Sequence, residues 1–82
     1  MKIILMIFLL IGLINMKNRL FLIKEIYCLE KIKQAINDYK NLAVIELKED
    51  ENYYYCDFKE TYYALDLTIN EFENYLIGLT YK

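Results

Sequence analysis

The side chains of this sequence that could do chemistry are two thiols, Cys28 and Cys56, and a set of neighbouring tyrosines. A thiol becomes a nucleophile when a base takes its proton, and the chain has no histidine for that task. The absence of serine and histidine also excludes Ser-His-Asp triads. Two cysteines are too few for a closed zinc site, and two distant glycines cannot form a phosphate-binding loop. The sequence therefore predicts no catalytic, cofactor-binding or metal-binding residues, and no enzyme.

The two cysteines are predicted to be structural. Cys56 falls on the inward face of a predicted strand, where a thiol acts as a small apolar side chain. Cys28 stands where a helix N-cap is expected, and a thiol caps poorly compared with serine or threonine. A disulfide between Cys28 and Cys56 is expected only if the chain is exported.

The tyrosines form two clusters, Tyr53 to Tyr55 and Tyr62 with Tyr63. In a strand, Tyr53 and Tyr55 share the face opposite Tyr54, so one side is expected to be exposed. Exposed tyrosines are typical of protein and peptide interfaces, although packing alone also explains such clusters. Stacking on single-stranded nucleic acid is disfavoured because the surrounding acidic side chains repel phosphates. We therefore predict that Tyr53, Tyr55, Tyr62 and Tyr63 contact a peptide or protein partner.

The charge distribution supports this choice of partner. The chain has 82 residues and a net charge of −2. Residues 1–48 carry eight basic and four acidic side chains, whereas residues 49–82 carry two basic and eight acidic ones. The acidic second half argues against a general nucleic-acid binder, which needs a basic face.

An unbroken apolar run covers residues 3–14 and is flanked by Lys2, Lys17 and Arg19. It is shorter than the roughly 20 residues of a membrane-spanning helix, and no small-residue cleavage site follows it. Three interpretations stay open: a leader before a true start at Met16, a membrane anchor, and a cleaved signal. We expect residues 1–15 to lie apart from a single domain at residues 16–82. The expected location is cytoplasmic, with membrane association through residues 3–14 as the alternative.

The remaining sequence predicts the elements that position these side chains. Residues 20–27 are rich in β-forming residues and predict a strand buried on much of both faces. Residues 29–40 predict an amphipathic helix that ends near Asn41. Its apolar stripe comprises Leu29, Ile32, Ala35, Ile36 and Tyr39.

Two alternating runs, residues 42–48 and 53–59, surround the polar residues 49–52 and predict an antiparallel hairpin. Thr68 and Glu71 have the spacing of a capping box and predict the start of a second helix. Its apolar stripe comprises Phe72, Tyr75, Leu76 and Leu79. The predicted fold is a small α+β domain of order β-α-β-β-α, with two helices on one face of the sheet. Its small core favours completion by a partner, including a second copy.

Two blocks of this sequence follow a pattern seen in a known family. The first block carries Tyr27, Glu30, Ile32, Lys33, Ala35 and Tyr39, and the second carries Phe72, Asn74 and Ile77, with Leu76 one place before the position of the family leucine. With these positions, the chain resembles the HxsD-type accessory proteins of the His-Xaa-Ser peptide-modification systems from about residue 19 to residue 79. The chain departs from the family pattern at Cys28, where serine is usual, and lacks the expected arginine and acidic residue after the final helix.

The resemblance implies a non-catalytic accessory protein that accompanies a radical SAM enzyme during maturation of a ribosomally made peptide. Its expected partners are the precursor peptide and that enzyme. The predicted binding surface is the hairpin edge carrying Tyr53 and Tyr55, through addition of a strand. The alternative is a small membrane-anchored protein that uses residues 3–14 as its anchor.

Overall fold

The computed structural model describes residues 18–81, so the predictions about residues 1–15 lie outside the described residues. The order β-α-β-β-α and the small α+β fold are confirmed. The elements are β1 (Arg19–Ile23), α1 (Leu29–Asp38), β2 (Ala43–Glu49), β3 (Tyr53–Thr61) and α2 (Leu65–Thr80).

The three strands form one antiparallel sheet in the order β1-β3-β2. The last strand in sequence is therefore the central one, because β1 pairs on one side of β3 and β2 on the other. Cys56 marks the centre of the sheet, opposite Leu20 in β1 and Leu47 in β2. Near the end of β3 the pairing with β2 skips Lys59, which forms a bulge.

Both helices pack on one face of this sheet, as the sequence predicts, and the core lies between them. Phe72 of α2 is fully buried near its centre. Its ring meets those of Phe58 and Tyr39 edge to face, each with centroids 5.3 Å apart. The buried apolar residues are Leu22, Ile32, Ala35, Ala43, Cys56, Phe58, Phe72, Leu76 and Leu79.

Helix α1 follows its predicted stripe, since Ile32 and Ala35 are fully buried. Its N-cap is Cys28, whose extended backbone (φ −104°, ψ 149°) suits the position and whose side chain makes no capping hydrogen bond. The structure thus confirms that Cys28 occupies the N-cap position and that its thiol caps the helix poorly. The helix ends at Asp38 with Tyr39 as C-cap, and Asn41 lies in the turn that follows.

The predicted first strand was too long at its C-terminal end. β1 ends at Ile23 because the chain turns there, with the amides of Ile26 and Tyr27 donating to the Ile23 carbonyl at 3.2 and 3.1 Å. The expectation of burial on both faces was also wrong. Leu22 is buried against the helices, whereas Phe21 points to the other side and is 40% exposed.

The predicted capping box was wrong as well. Helix α2 begins at Leu65 with Ala64 as N-cap, one turn before Thr68. The Thr68 hydroxyl, inside the helix, donates to the Ala64 carbonyl at 2.8 Å and is satisfied by that bond. Glu71 consequently lies in the second turn. Of the four residues in the predicted apolar stripe of α2, only Tyr75 is not buried. It lies at the margin of the core and is 38% exposed.

Candidate interaction surface on the open sheet face

The face of the sheet opposite the helices is not covered by any element of residues 18–81. We call it the outer face. Strand register brings to it the side chains that alternate with the core residues. These are Arg19, Phe21 and Ile23 of β1, Tyr53, Tyr55 and Asp57 of β3, and Val44, Glu46 and Lys48 of β2.

Three rings on the outer face form what we call the aromatic cluster: Phe21, Tyr53 and Tyr55. The Phe21 ring meets Tyr55 at a centroid distance of 5.0 Å and Tyr53 at 6.0 Å, both edge to face. Phe21 and Tyr53 are 40% and 37% exposed. The predicted pair on β3 is therefore joined by a third ring from β1, and all three present partly exposed apolar surface.

On the outer face, beside this cluster, an ion pair joins strand β1 to strand β3. The Arg19 guanidinium donates from Nε to Asp57 Oδ1 at 2.6 Å and from Nη2 to Oδ2 at 2.9 Å. Lys48 Nζ lies 3.3 Å from the same Oδ2. These cationic side chains cover Asp57, which is only 3% exposed. The hydrogen bonds from Arg19 hold the pKa of Asp57 below its usual value, against the opposing effect of burial.

The ion pair and the aromatic cluster are in direct contact. The Arg19 guanidinium lies over the Tyr55 ring, 4.9 Å from its centroid. The Tyr55 hydroxyl donates to the Asp50 carboxylate in the β2–β3 loop. That bond raises the pKa of Tyr55 and lowers the pKa of Asp50, which also accepts the amides of Asn52 and Tyr53. Tyr55 is thus fixed from both sides.

The four predicted tyrosines do not form one site. Tyr53 begins β3 and Tyr62 follows its end, so they are separated by the length of a nine-residue strand, about 30 Å at 3.3 Å per residue. Tyr62 and Tyr63 are 77% and 58% exposed and stack on each other edge to face, with centroids 5.0 Å apart. They lie beside the start of β2, since the Tyr62 amide donates to the Leu42 carbonyl.

The structure also corrects the prediction that a partner strand adds to the hairpin edge carrying Tyr53 and Tyr55. Tyr53 and Tyr55 belong to β3, which is paired on both sides and offers no edge. The hairpin keeps an open edge only at β2, because β1 occupies the other side of β3. Sequence reasoning missed this because the order of strands in a sheet does not follow from their order in the chain.

Arg19, Phe21 and Asp57 are the surface residues that sequence reasoning missed. Strand alternation also places Asp57 on the face of Tyr53 and Tyr55. The available signal was the alternation of Arg19, Phe21 and Ile23 with Leu20 and Leu22, which indicates one buried face. This alternation was overlooked because most residues of the segment 20–27 are apolar, which suggested burial on both faces.

The two thiols have opposite environments. Cys56 is fully buried in the core, which confirms the prediction of a small apolar side chain on the inward face of the strand, and burial raises its pKa to about 12. Cys28 is exposed at the start of α1. Both cysteines are free. In the described part of the chain, no group of three or more histidine, cysteine or acidic side chains could hold a metal ion.

Comparisons with protein-family models, with curated proteins and with solved structures gave no match to this chain. The resemblance to the HxsD-type proteins therefore rests on the two blocks quoted above. Within residues 18–81, no helix has the length and apolar character needed to cross a membrane. The predicted anchor at residues 3–14 lies outside the described residues and stays a prediction.

Proposed function

We propose that this protein is a non-catalytic binding module that holds a peptide or protein partner on the outer face of its sheet. The observation that carries this proposal is the aromatic cluster. Phe21 and Tyr53 keep more than a third of their surface exposed, although they lie next to each other on an open sheet face. Contiguous exposed aromatic surface of this kind marks interaction sites.

The cluster has the physical properties of a binding centre. Its rings are held edge to face, so little side-chain freedom is lost on binding. Tyr55 is fixed by Arg19 on one side and by Asp50 on the other. Aromatic and arginine side chains together dominate the energetic centres of protein interfaces. The outer face thus combines a preorganised apolar patch with a polar border.

The charges around the cluster favour a polypeptide over a nucleic acid. Arg19 and Lys48 are both engaged with Asp57, and Lys24, near Tyr53, is paired with Glu49. The loop next to Tyr53 carries the acidic residues Glu49, Asp50 and Glu51. A phosphate backbone needs unpaired basic side chains, whereas a polypeptide requires only apolar contact and matched polar groups.

The resemblance to HxsD-type proteins supplies the proposed context. In that context the partners are a precursor peptide and the radical SAM enzyme that modifies it, and the cytoplasm is where they meet. A small protein without a catalytic residue set fits a role in presenting the peptide to the enzyme. A radical SAM gene beside this one would support the context, and its absence would count against it.

The experiment is a calorimetric titration of the full chain with the neighbouring precursor peptide and, separately, with the neighbouring radical SAM enzyme. We expect at least one of them to bind. The variant Phe21→Thr/Tyr53→Thr, which keeps β-forming residues, should bind that partner at least about tenfold more weakly. The matched variant Leu67→Thr/Tyr81→Thr removes two exposed apolar side chains at the ends of α2, outside the cluster, and should bind like the wild type. Absence of binding to both partners would refute the proposal.

A further inference from the structure

The outer edge of β2 offers a row of backbone groups. The Asp50 amide donates to the Tyr53 carbonyl at 2.9 Å, and hydrogen-bonded pairs alternate along an antiparallel ladder. Glu46 and Lys48, in register with Asp57 and Tyr55, therefore direct their backbone groups to β3. The N–H and C=O groups of Ile45 and Leu47 point away from β3, where residues 18–81 place no further strand.

The side chains of β2 give this edge a pattern. Glu46 and Lys48 lie on the outer face and are both exposed. Ile45 and Leu47 lie on the helix side, where they pack against the core but stay partly exposed. An added strand would therefore meet apolar side chains on one face and an acidic and a basic side chain on the other.

A cleft of about 210 Å³ lies where β2 begins. Its apolar lining comes from Leu42, Ala43, Val44 and Tyr62, its charged lining from Lys40 and Glu60, and Val44 is 53% exposed. The cleft gives a role to the second predicted tyrosine cluster, which is too distant from the aromatic cluster to share its site. A side chain that follows the edge toward the start of β2 would reach it.

We propose that the edge of β2 binds an extended peptide segment as an antiparallel fourth strand, an inference that rests on the function proposed above. The segment carries apolar residues opposite Ile45 and Leu47, glutamate or aspartate opposite Lys48, and lysine or arginine opposite Glu46. A large apolar side chain opposite Val44 fills the cleft. Main-chain hydrogen bonds provide the affinity, and the alternating side chains provide the selectivity.

A second copy of the chain fits this edge less well. Pairing β2 with itself over its full length, about an axis perpendicular to the sheet, sets Glu46 opposite Glu46, which is destabilising. Shifting the register to set Glu46 opposite Lys48 places Ile45 opposite Glu49 and shortens the overlap. The charges of β2 are thus complementary to a different segment and not to β2 itself.

The test uses the synthetic peptide Val-Glu-Val-Lys-Ile-Phe-Thr with a fluorescent label, titrated with the full chain and followed by fluorescence anisotropy. We expect saturable binding. A probe with its Glu and Lys exchanged should bind at least about fivefold more weakly, because like charges then face each other. Equal binding of the two probes, or no binding of either, would overturn the proposal.

Backbone substitutions make the test independent of side chains. Leu47→Pro removes an open amide of the edge and should weaken binding at least about tenfold, whereas Leu47→Ala keeps that amide, loses only a side-chain contact and should weaken binding no more than about threefold. If Leu47→Pro does not fold, N-methylation of the probe gives the same information with the wild-type chain. A methyl group on the second Val amide, opposite Leu47, should abolish binding, and one on the Lys amide should not. Equal effects of the two methyl groups would contradict strand addition.

The outcomes separate this inference from the proposed function. If Leu47→Pro folds and binds the precursor peptide or the enzyme normally, the edge is not used, although the outer face remains the binding surface. If neither natural partner binds while the probe does, the proposed function fails and the edge remains a peptide site. A dimer in sedimentation analysis that excludes the probe would assign the edge to a second copy and overturn the proposal.

Discussion

Arg19 and Asp57, 38 positions apart in the sequence, form a two-bond ion pair that joins the edge strand β1 to the central strand β3. The two residues are direct partners in the strand register. The pair lies on the outer face, where Arg19 and Lys48 together cover Asp57. It therefore ties the only arginine of the chain to the surface on which we propose that a partner binds.

Replacement of Asp57 by asparagine is expected to destabilise the protein. Asparagine keeps the size of the side chain but loses the charge and turns one acceptor into a donor, which faces the Arg19 donors. Because Arg19 is partly exposed, we expect a loss of about 1–2 kcal/mol in the free energy of unfolding. Urea denaturation measures it. Glu60→Gln, at an exposed position of the same strand, should change stability by less than about 0.5 kcal/mol. Equal stabilities of the two variants would contradict this role of the pair.

The same pair predicts how stability depends on acid. The folded protein holds the pKa of Asp57 below the ordinary value of 3.8, so the unfolded chain takes up its proton first as the pH falls. The stabilisation is complete above pH 3.8 and is lost as the pH falls through the lower folded-state pKa. Urea midpoints from about pH 6 to about pH 2.5 should fall steeply for the wild type and less for Asp57→Asn. Parallel curves for the two proteins would show that another group controls acid unfolding. Asp50, whose pKa is lowered in the same direction, is the first to test by Asp50→Asn.

The two thiols should react at very different rates. Cys28 is exposed, whereas Cys56 is fully buried with its pKa raised to about 12. With Ellman's reagent near pH 8, the native protein should release one equivalent promptly and the second only on unfolding. Peptide mapping should locate the prompt label on Cys28, and Cys28→Ser should remove it. Prompt release of two equivalents would show that the core around Cys56 opens readily.

Serine at position 28 should stabilise helix α1. Cys28 has the backbone conformation of an N-cap but makes no side-chain capping bond. A serine hydroxyl there can accept the Lys31 amide, so Cys28→Ser should raise the free energy of unfolding by about 0.5–1 kcal/mol. Cys28→Ala removes the same thiol without adding an acceptor and should give no gain. Thermal unfolding of the wild type, Cys28→Ser and Cys28→Ala measures this difference. Equal melting temperatures of the serine and alanine variants would contradict the capping argument.

The elements most accurately predicted from the sequence were those whose apolar residues have an unambiguous period. The stripe of α1 and the alternation of β2 and β3 follow directly from burial on one side, and the structure reproduces both. The end of β1 was missed because residues 24–27 continue the β-forming composition, although the chain turns at Ile23. The start of α2 was missed because Thr68 has capping chemistry that it uses inside the helix.

Only the residues that β3 contributes to the candidate surface could be predicted from the sequence. The exposure of Tyr53 and the separation of Tyr55 from Tyr54 follow from strand alternation alone. The contributions of Phe21 and Arg19 depend on β1 pairing with β3, a contact between distant parts of the chain that local patterns do not encode. The same contact makes β3 central and leaves β2 as the open edge of the hairpin.

The most direct test of the binding surface is an amide chemical-shift titration of the isotope-labelled full chain with whichever natural partner binds. If the outer face is the binding surface, the shifts of Phe21, Tyr53 and Tyr55 move with the titration, while those on the solvent side of α1, such as Lys33, stay unchanged. Shifts confined to the helices, with Phe21 and Tyr53 unmoved at saturation, would contradict the proposed function.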